Sequence, residues 1–209
     1  MALEIEMLGS TMAAAVTGGD LSGPIDDETA LQLRQAVTHH LVICIRNQHL
    51  SPRQLASAGR FFGPLKTFLL RGDRIEEAPE VSVVSNRPPM FDGKPLVQAK
   101  HWHTDDSYLA EPATLTLLHA VTLPQSGGDT EFINCYAVLD ALPPDLRQRI
   151  EGLRAVHKYL SRRNQSWVAK RSEVEEEETP DVDHPLIRTH PITGRQSLFI
   201  NLNRIERIL

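Results

Sequence analysis

The residues best able to do chemistry are crowded into one polar stretch, residues 100–107, which reads KHWHTDDS. In an extended backbone, residues i and i+2 point to the same side. His103 and Asp105 can therefore direct an imidazole and a carboxylate at one ion. One further imidazole would complete the facial triad that holds non-haem Fe(II) and leaves positions open for a co-substrate and O2. The spacing is therefore compatible with an iron site in which His103 and Asp105 are two of the ligands.

The same stretch leaves a second metal chemistry open. His101 shares the parity of His103 and Asp105, and His-x-His-x-Asp also begins the metal motif of metallo-β-lactamase-like hydrolases. The next residue of that motif is a histidine, whereas Asp106 stands here. His-x-Asp alone can also arise by chance in a chain with nine histidines, and it would then be a surface or capping pair. The nature of the metal would separate the two chemistries, since zinc favours hydrolysis and iron favours oxidation.

Composition limits the class of protein. The chain has 209 residues, 41% of them hydrophobic, which suits one domain with a buried core. Its net charge is -5 and its basic residues are scattered, which argues against a nucleic-acid partner. Two cysteines are too few for a disulfide framework, and neither a signal peptide nor an apolar run of about 20 residues is present. We therefore expect a cytoplasmic protein with a small-molecule substrate and no membrane partner, and homo-oligomers are left open.

Local signals predict the elements that must position the polar stretch. Asp26 can cap a helix that runs to about His39, and Ser51 with Gln54 forms the capping box of a second helix. Alternating or β-branched residues predict strands at 41–45, 113–121, 186–190 and 197–200, and helices are expected near 136–141 and 144–151. The loop 86–100 is a typical place for a substrate lid. Short strands with a few helices indicate a β-rich double-sheet fold, of which the jelly roll is one solution.

Several motifs, taken in order, resemble the taurine dioxygenase (TauD/TfdA) family. They are Phe62-Gly63, Trp102-His-Thr-Asp105, Pro112, Leu123-Pro124, Gly127-Gly-Asp-Thr130, the stretch 152–157, and His184-Pro185 to His190-Pro191 with Gly194 and 199–201. The resemblance covers nearly the whole chain, from about residue 4 to residue 209. It implies a β-rich α+β fold, with a double-stranded β-helix (jelly-roll, cupin-like) core and flanking helices.

The resemblance also implies an Fe(II)- and 2-oxoglutarate-dependent dioxygenase. Such an enzyme consumes O2, hydroxylates a small organic substrate, here expected to be anionic, and releases succinate and CO2. His103 and Asp105 match the first two iron ligands of the family. Thr130 matches a threonine whose hydroxyl helps to hold the carboxylate of 2-oxoglutarate.

Four positions match residues that contact substrate in the taurine enzyme, but their types differ. Phe68 replaces a sulfonate-binding histidine, and Ala99 replaces an asparagine. Arg163 and Arg204 replace two apolar residues, although each arginine could equally be a solvated surface charge. The differences argue against taurine itself as the substrate.

Two residues that the family requires have no match in this sequence. These are the distal histidine that is the third iron ligand and the arginine that pairs with 2-oxoglutarate. His184 and His190 lie in a stretch that precedes the distal histidine in the family. We therefore expect residues 1–209 to form a single incomplete domain that lacks its C-terminal portion and is inactive alone. The alternative is a non-catalytic homologue that kept the fold and lost the chemistry.

Overall fold

The computed structural model describes residues 3–85, 90–91, 94–95, 101–164 and 169–209. At the N-terminus, β1 (Glu4–Met7) and β2 (Ala14–Thr17) form an antiparallel pair. Helix α1 (Asp27–His40) follows, and β3 (Ile43–Ile45) then pairs in parallel with β2. The parallel pairing requires a crossover between β2 and β3, and α1 supplies it.

Two capped helices build the N-terminal core. The Asp26 side chain accepts a hydrogen bond from the Thr29 amide and begins α1, as predicted. Helix α2 (Pro52–Gly59) begins with the predicted capping box of Ser51 and Gln54. The buried core cluster joins side chains from β2, α1 and α2 with one from the loop after β2: Val16, Leu33, Ala58 and Leu21. Removing these apolar side chains from water holds the helices against the sheet.

Short hairpins occupy the middle of the chain. A 3-10 turn at Arg71–Asp73 leads into β4 (Arg74–Ile75), which pairs with β5 (Ala78–Ser82). Strands β6 (Met90–Phe91) and β7 (Lys94–Pro95) form a second hairpin. Most of the predicted substrate lid at 86–100 lies outside the described residues.

The C-terminal half forms a second three-stranded sheet and a hairpin. Its elements are α3 (Cys135–Asp140), α4 (Pro144–Ile150), β8 (Arg154–His157), α5 (Glu173–Glu177), β9 (Val182–Pro185), β10 (Ile187–Thr189), β11 (Gln196–Leu198) and β12 (Ile205–Ile208). The sheet has the order β12-β8-β9 and is antiparallel throughout. Strands β10 and β11 form the predicted hairpin around the turn at Thr193-Gly194. Ala155, Leu186 and Ile205 form the small apolar core of the three-stranded sheet.

The predicted strand at 113–121 is wrong. The segment belongs to no strand, and no backbone–backbone hydrogen bond joins it to another described segment. Most of its side chains are exposed to solvent, with Leu118 67% and Val121 84% exposed. Alternating polar and apolar residues suit a half-buried strand, but a strand also needs a neighbouring strand that pairs with its backbone amides and carbonyls.

The longest described helix, α1, has 14 residues. No helix within the described ranges combines the length and the apolar character needed to cross a membrane.

Candidate metal centre

The structure brings the two predicted iron ligands together. His103 and Asp105 lie where the irregular segment 102–104 enters a turn at 105–108. The Nε2 atom of His103 is 3.3 Å from Oδ1 of Asp105. Asp106 adopts a left-handed backbone with φ 54°, and its carbonyl accepts a hydrogen bond from the Leu109 amide at 2.8 Å. The chain therefore turns away directly after Asp105, and the two side chains converge at the start of the turn.

The hydrogen bond on the far side of the imidazole decides what faces Asp105. The Nδ1 atom of His103 is 2.7 Å from the carbonyl oxygen of His101. A carbonyl can only accept, so Nδ1 carries the proton and Nε2 of the neutral ring presents a lone pair. A lone pair and a carboxylate oxygen at this distance repel each other unless a cation lies between them. A proton or a metal ion can take that place.

The pKa values of both groups express the same preference. The hydrogen bond to Asp105 raises the pKa of His103, against the opposing effect of burial. The same hydrogen bond lowers the pKa of Asp105. Positive charge at Nε2 and negative charge on the carboxylate stabilise each other. A metal ion bound here would have to compete with that proton.

The donor set and its spacing fit Fe(II). Ligands at adjacent corners of an octahedron, each about 2.1 Å from the metal, are about 3 Å apart. The measured separation of 3.3 Å is close to that value. The side chains are 41% and 49% exposed, which leaves space for further ligands. One imidazole nitrogen and one carboxylate oxygen are two of the three donors of a facial iron triad.

The three-ligand site of the hydrolase alternative does not form. Among the residues that the structure describes, no group of three His, Cys, Asp or Glu side chains is placed to hold a metal. His101 contributes its backbone carbonyl to the centre by binding the ring of His103. The interpretation of His101, His103 and Asp105 as a common metal cluster is therefore wrong.

A turn from the distant C-terminal part holds the segment with His103 and Asp105 in place. Asn201 is 2% exposed, and its Nδ2 donates to the Thr104 carbonyl and to Oγ of Ser107, each at 2.9 Å. Asn203 donates from Nδ2 to the Trp102 carbonyl at 3.4 Å. The Asn201 contacts span more than ninety residues of sequence. The motif at 199–201 was visible in the sequence, but this supporting role was not.

Arg204, the last residue of the same turn, is a cation whose charge acts on the pKa of His103. Its guanidinium lies over the rings of Tyr108 and Tyr159, with its carbon 4.9 and 4.8 Å from the ring centroids. It also donates a hydrogen bond to the Tyr159 carbonyl. Burial lowers the pKa of Arg204, and its charge opposes the rise that Asp105 causes in the pKa of His103. Arg204 is thus a half-buried cation within electrostatic reach of His103.

The remaining predicted residues lie in varied surroundings. Arg163 is exposed, donates to the Ile205 carbonyl at 2.6 Å, and lines an apolar cavity of about 410 Å³ beside α4 and β12. Phe68 is 37% exposed, and its amide donates to the Pro79 carbonyl at 3.2 Å. Thr130 is exposed, and no hydrogen bond joins it to another described residue. Ala99 lies outside the described residues, so its role and those of Phe68, Arg163 and Thr130 stay predictions.

Comparison with known proteins identifies relatives along the whole chain. The family model described as "Taurine catabolism dioxygenase TauD, TfdA family" matches residues 4–209. The alpha-ketoglutarate-dependent 2,4-dichlorophenoxyacetate dioxygenase of Cupriavidus pinatubonensis is 33% identical over 211 residues, which cover 96% of this chain and 74% of that protein. The (S)-phenoxypropionate/alpha-ketoglutarate-dioxygenase of Sphingobium herbicidovorans is 31% identical and covers 95% of this chain and 70% of its own length.

A solved structure has the same fold. The crystal structure of AAD-2 in complex with Mn(II) and N-oxalylglycine superimposes with a TM-score of 0.81 at 27% identity, covering 100% of this chain and 76% of that one. The predicted jelly-roll type of β-rich α+β fold is thereby confirmed. The family match also overturns the metallo-hydrolase alternative.

Proposed function

Because the chain belongs to the taurine catabolism dioxygenase TauD, TfdA family, we propose that it oxidises a small anionic organic molecule other than taurine. The family and its relatives are non-haem iron dioxygenases that depend on 2-oxoglutarate (alpha-ketoglutarate) and O2. The products are the hydroxylated substrate, succinate and CO2. We place this reaction in the cytoplasm, with no nucleic-acid or membrane partner.

One observation carries the proposal at the level of atoms. The Nε2 atom of His103 and the Oδ1 atom of Asp105 face each other at 3.3 Å, a separation that either a proton or a metal ion between them would stabilise. His103 and Asp105 would hold Fe(II) there, and the bound iron would supply the activation of O2. The protein contributes the orientation of the two donors, which the His101 carbonyl and the 201–204 turn maintain.

The co-substrate needs donors for its carboxylates. A buried carboxylate must be hydrogen-bonded or paired with a cation. We assign Thr130 as a hydroxyl donor to 2-oxoglutarate on the strength of its place in the Gly-Gly-Asp-Thr motif. Gly127 and Gly128 both adopt positive φ, 73° and 77°, so the turn before Thr130 has the backbone that only glycine adopts without strain.

Arg204 supports an anionic substrate. The two relatives described above are named for phenoxyacetate and phenoxypropionate substrates, which are carboxylates. A guanidinium stacked on two tyrosine rings is oriented in advance and can pair with a carboxylate through two parallel hydrogen bonds. Its charge acts on the pKa of His103, so an anion paired with Arg204 would lie within electrostatic reach of the proposed iron site. Phe68, Ala99 and Arg163 remain further candidates for the substrate pocket.

The first experiment tests the metal centre and the reaction together. The intact protein is titrated with Mn(II) by calorimetry and assayed with Fe(II), 2-oxoglutarate and a panel of aryloxyalkanoates, alkyl sulfates and taurine. We expect succinate formation with an anionic member other than taurine. His103→Ala and Asp105→Ala should each remove both Mn(II) binding and turnover, whereas His49→Ala, at an exposed histidine, should retain both. Full turnover by Asp105→Ala would refute the iron site, and Mn(II) binding without succinate on any substrate would favour the non-catalytic alternative.

A second experiment tests the substrate class. Arg204→Met keeps much of the side-chain volume but removes the charge. We expect the KM for the anionic substrate to rise by about tenfold or more, since a charge-assisted pair is lost. Arg162→Met is the matched control, because Arg162 is exposed and pairs with Glu206 at 2.7 Å. An unchanged KM in Arg204→Met would exclude Arg204 as the substrate anchor.

A further inference from the structure

One side chain outside the predicted ligand set touches the metal pair directly. Thr116 lies in the segment 113–121, which follows the metal-binding turn along the chain. Its Oγ1 donates a hydrogen bond to Oδ2 of Asp105 at 2.8 Å. The donor is neutral and the acceptor is a carboxylate, so the bond belongs to the stronger, charge-assisted kind.

The bond acts on the carboxylate oxygen that does not face His103. Asp105 directs Oδ1 toward Nε2 of His103 and gives Oδ2 to Thr116. A free aspartate can rotate about its side-chain bonds and exchange its two oxygens. With Oδ2 held, Oδ1 is the oxygen left for a metal ion, and the carboxylate is restricted to one-oxygen coordination. This matches the need of an iron centre to keep other positions open.

We propose that Thr116 is a positioning residue of the metal centre, which fixes the orientation of the Asp105 carboxylate so that Oδ1 alone faces the ion. This inference rests on the proposed iron site. Hydrogen bonds to metal-ligating carboxylates are a regular part of such centres, and their loss typically weakens metal binding by about 10- to 100-fold. The Nδ1 atom of His103 donates to the His101 carbonyl in a similar way. Each of the two ligands would then be held by a hydrogen bond at the atom that faces away from the ion.

The surroundings of Thr116 argue against a purely structural role. Its side chain is exposed, and the segment around it belongs to no strand among the described residues, so the hydroxyl is not needed to satisfy a buried group. Thr114, two residues earlier, is also an exposed threonine, and no hydrogen bond joins its hydroxyl to the rest of the described chain. The two threonines thus differ in their contact with Asp105, which makes Thr114 a matched control.

The test compares three variants in the intact protein. Thr116→Val keeps the shape and removes the hydroxyl, Thr116→Ser keeps the hydroxyl, and Thr114→Val makes the same change two residues away. Mn(II) affinity is measured by calorimetry, and the thermal midpoint of each metal-free protein reports on stability. We expect Thr116→Val to bind Mn(II) about 10- to 100-fold more weakly with an unchanged metal-free midpoint. Thr116→Ser should return to within about threefold of the wild type, and Thr114→Val should match it.

The outcomes separate this inference from the function on which it rests. Wild-type affinity in Thr116→Val, or failure of Thr116→Ser to restore it, would overturn the role of Thr116. An equal loss in Thr116→Val and Thr114→Val would also overturn it, because the effect would then belong to the segment. Asp105→Ala in the same titration tests the iron site itself. If Asp105→Ala retains full affinity for Mn(II), the proposed function fails at its ligand, whatever Thr116 does.

Discussion

Acid should destabilise this protein in part through His157, a buried imidazole on β8. The side chain is 0% exposed, and within the described chain neither ring nitrogen has a hydrogen-bond partner. The ring lies 5.3 Å from that of His184 and stacks on Phe199 at 5.7 Å, measured between centroids. Burial, followed by the charges of His184 and Arg188, lowers the pKa of His157 to about 4.

The size of the effect follows from the difference between the folded and unfolded states. In the unfolded chain a histidine has a pKa of about 6.5. Between pH 6.5 and about pH 4, His157 is protonated in the unfolded state but stays neutral in the folded state. Stability therefore falls as the pH falls through this range, and the loss at pH 4.5 is about 2.5 kcal/mol. Burial also lowers the pKa of His184, which adds to the loss in the same direction.

The assay compares the wild type with His157→Leu by urea unfolding near pH 7.5 and near pH 4.5. Carboxylates titrate in both proteins and cancel in the comparison. We expect the wild type to lose about 2.5 kcal/mol more than His157→Leu between the two pH values. Near pH 7.5 the variant should change stability by about 1 kcal/mol or less, because leucine has a similar volume and leaves no polar atom unsatisfied. His49→Leu, at an exposed histidine, is the control and leaves the buried ring intact.

Equal losses in the wild type and His157→Leu would refute the reasoning. That result would mean that His157 accepts a proton in the folded state as readily as in the unfolded one. The buried ring would then need a partner that stabilises its charge. A strongly destabilised His157→Leu near pH 7.5 would point the same way, since a ring without hydrogen bonds gives up none when it is replaced.

Three further predictions concern the metal segment and a helix end. Asn201→Ala should lower the free energy of unfolding by about 1–3 kcal/mol and weaken Mn(II) binding, because it leaves buried Ser107 without the donor at 2.9 Å. Urea denaturation and calorimetry measure the two effects, and an unchanged affinity for Mn(II) would contradict the prediction. The affinity for Mn(II) should fall as the pH drops below the raised pKa of His103, since the proton and the metal compete for Nε2, and a pH-independent affinity would exclude that atom as a ligand. Ser51→Ala should cost about 1 kcal/mol in urea unfolding by removing the cap of α2, and no loss would show that the capping box adds nothing.

Local signals predicted the elements that depend on neighbouring residues. The caps at Asp26 and Ser51 and the turn at Thr193-Gly194 all appear where the sequence placed them. The pairing of His103 with Asp105 is also local, because the turn that begins at Asp105 brings the two side chains together over a separation of two residues. Hydrogen bonds and steric limits that act over two to four residues can be predicted from the sequence alone.

Tertiary structure decided everything that joins residues far apart in the chain. The segment 113–121 has the pattern of a strand, but strand formation depends on a partner, which no local pattern can specify. Thr116 and Asn201 are ordinary polar residues by sequence, and their contacts with the metal segment exist because the fold carries them there across 11 and 97 residues. Arg204 was equally compatible with a surface charge until the fold stacked its guanidinium on the rings of Tyr108 and Tyr159. The sequence therefore predicted His103 and Asp105 as a pair, and the fold determined which atoms support them, since long-range contacts form only through packing of the whole chain.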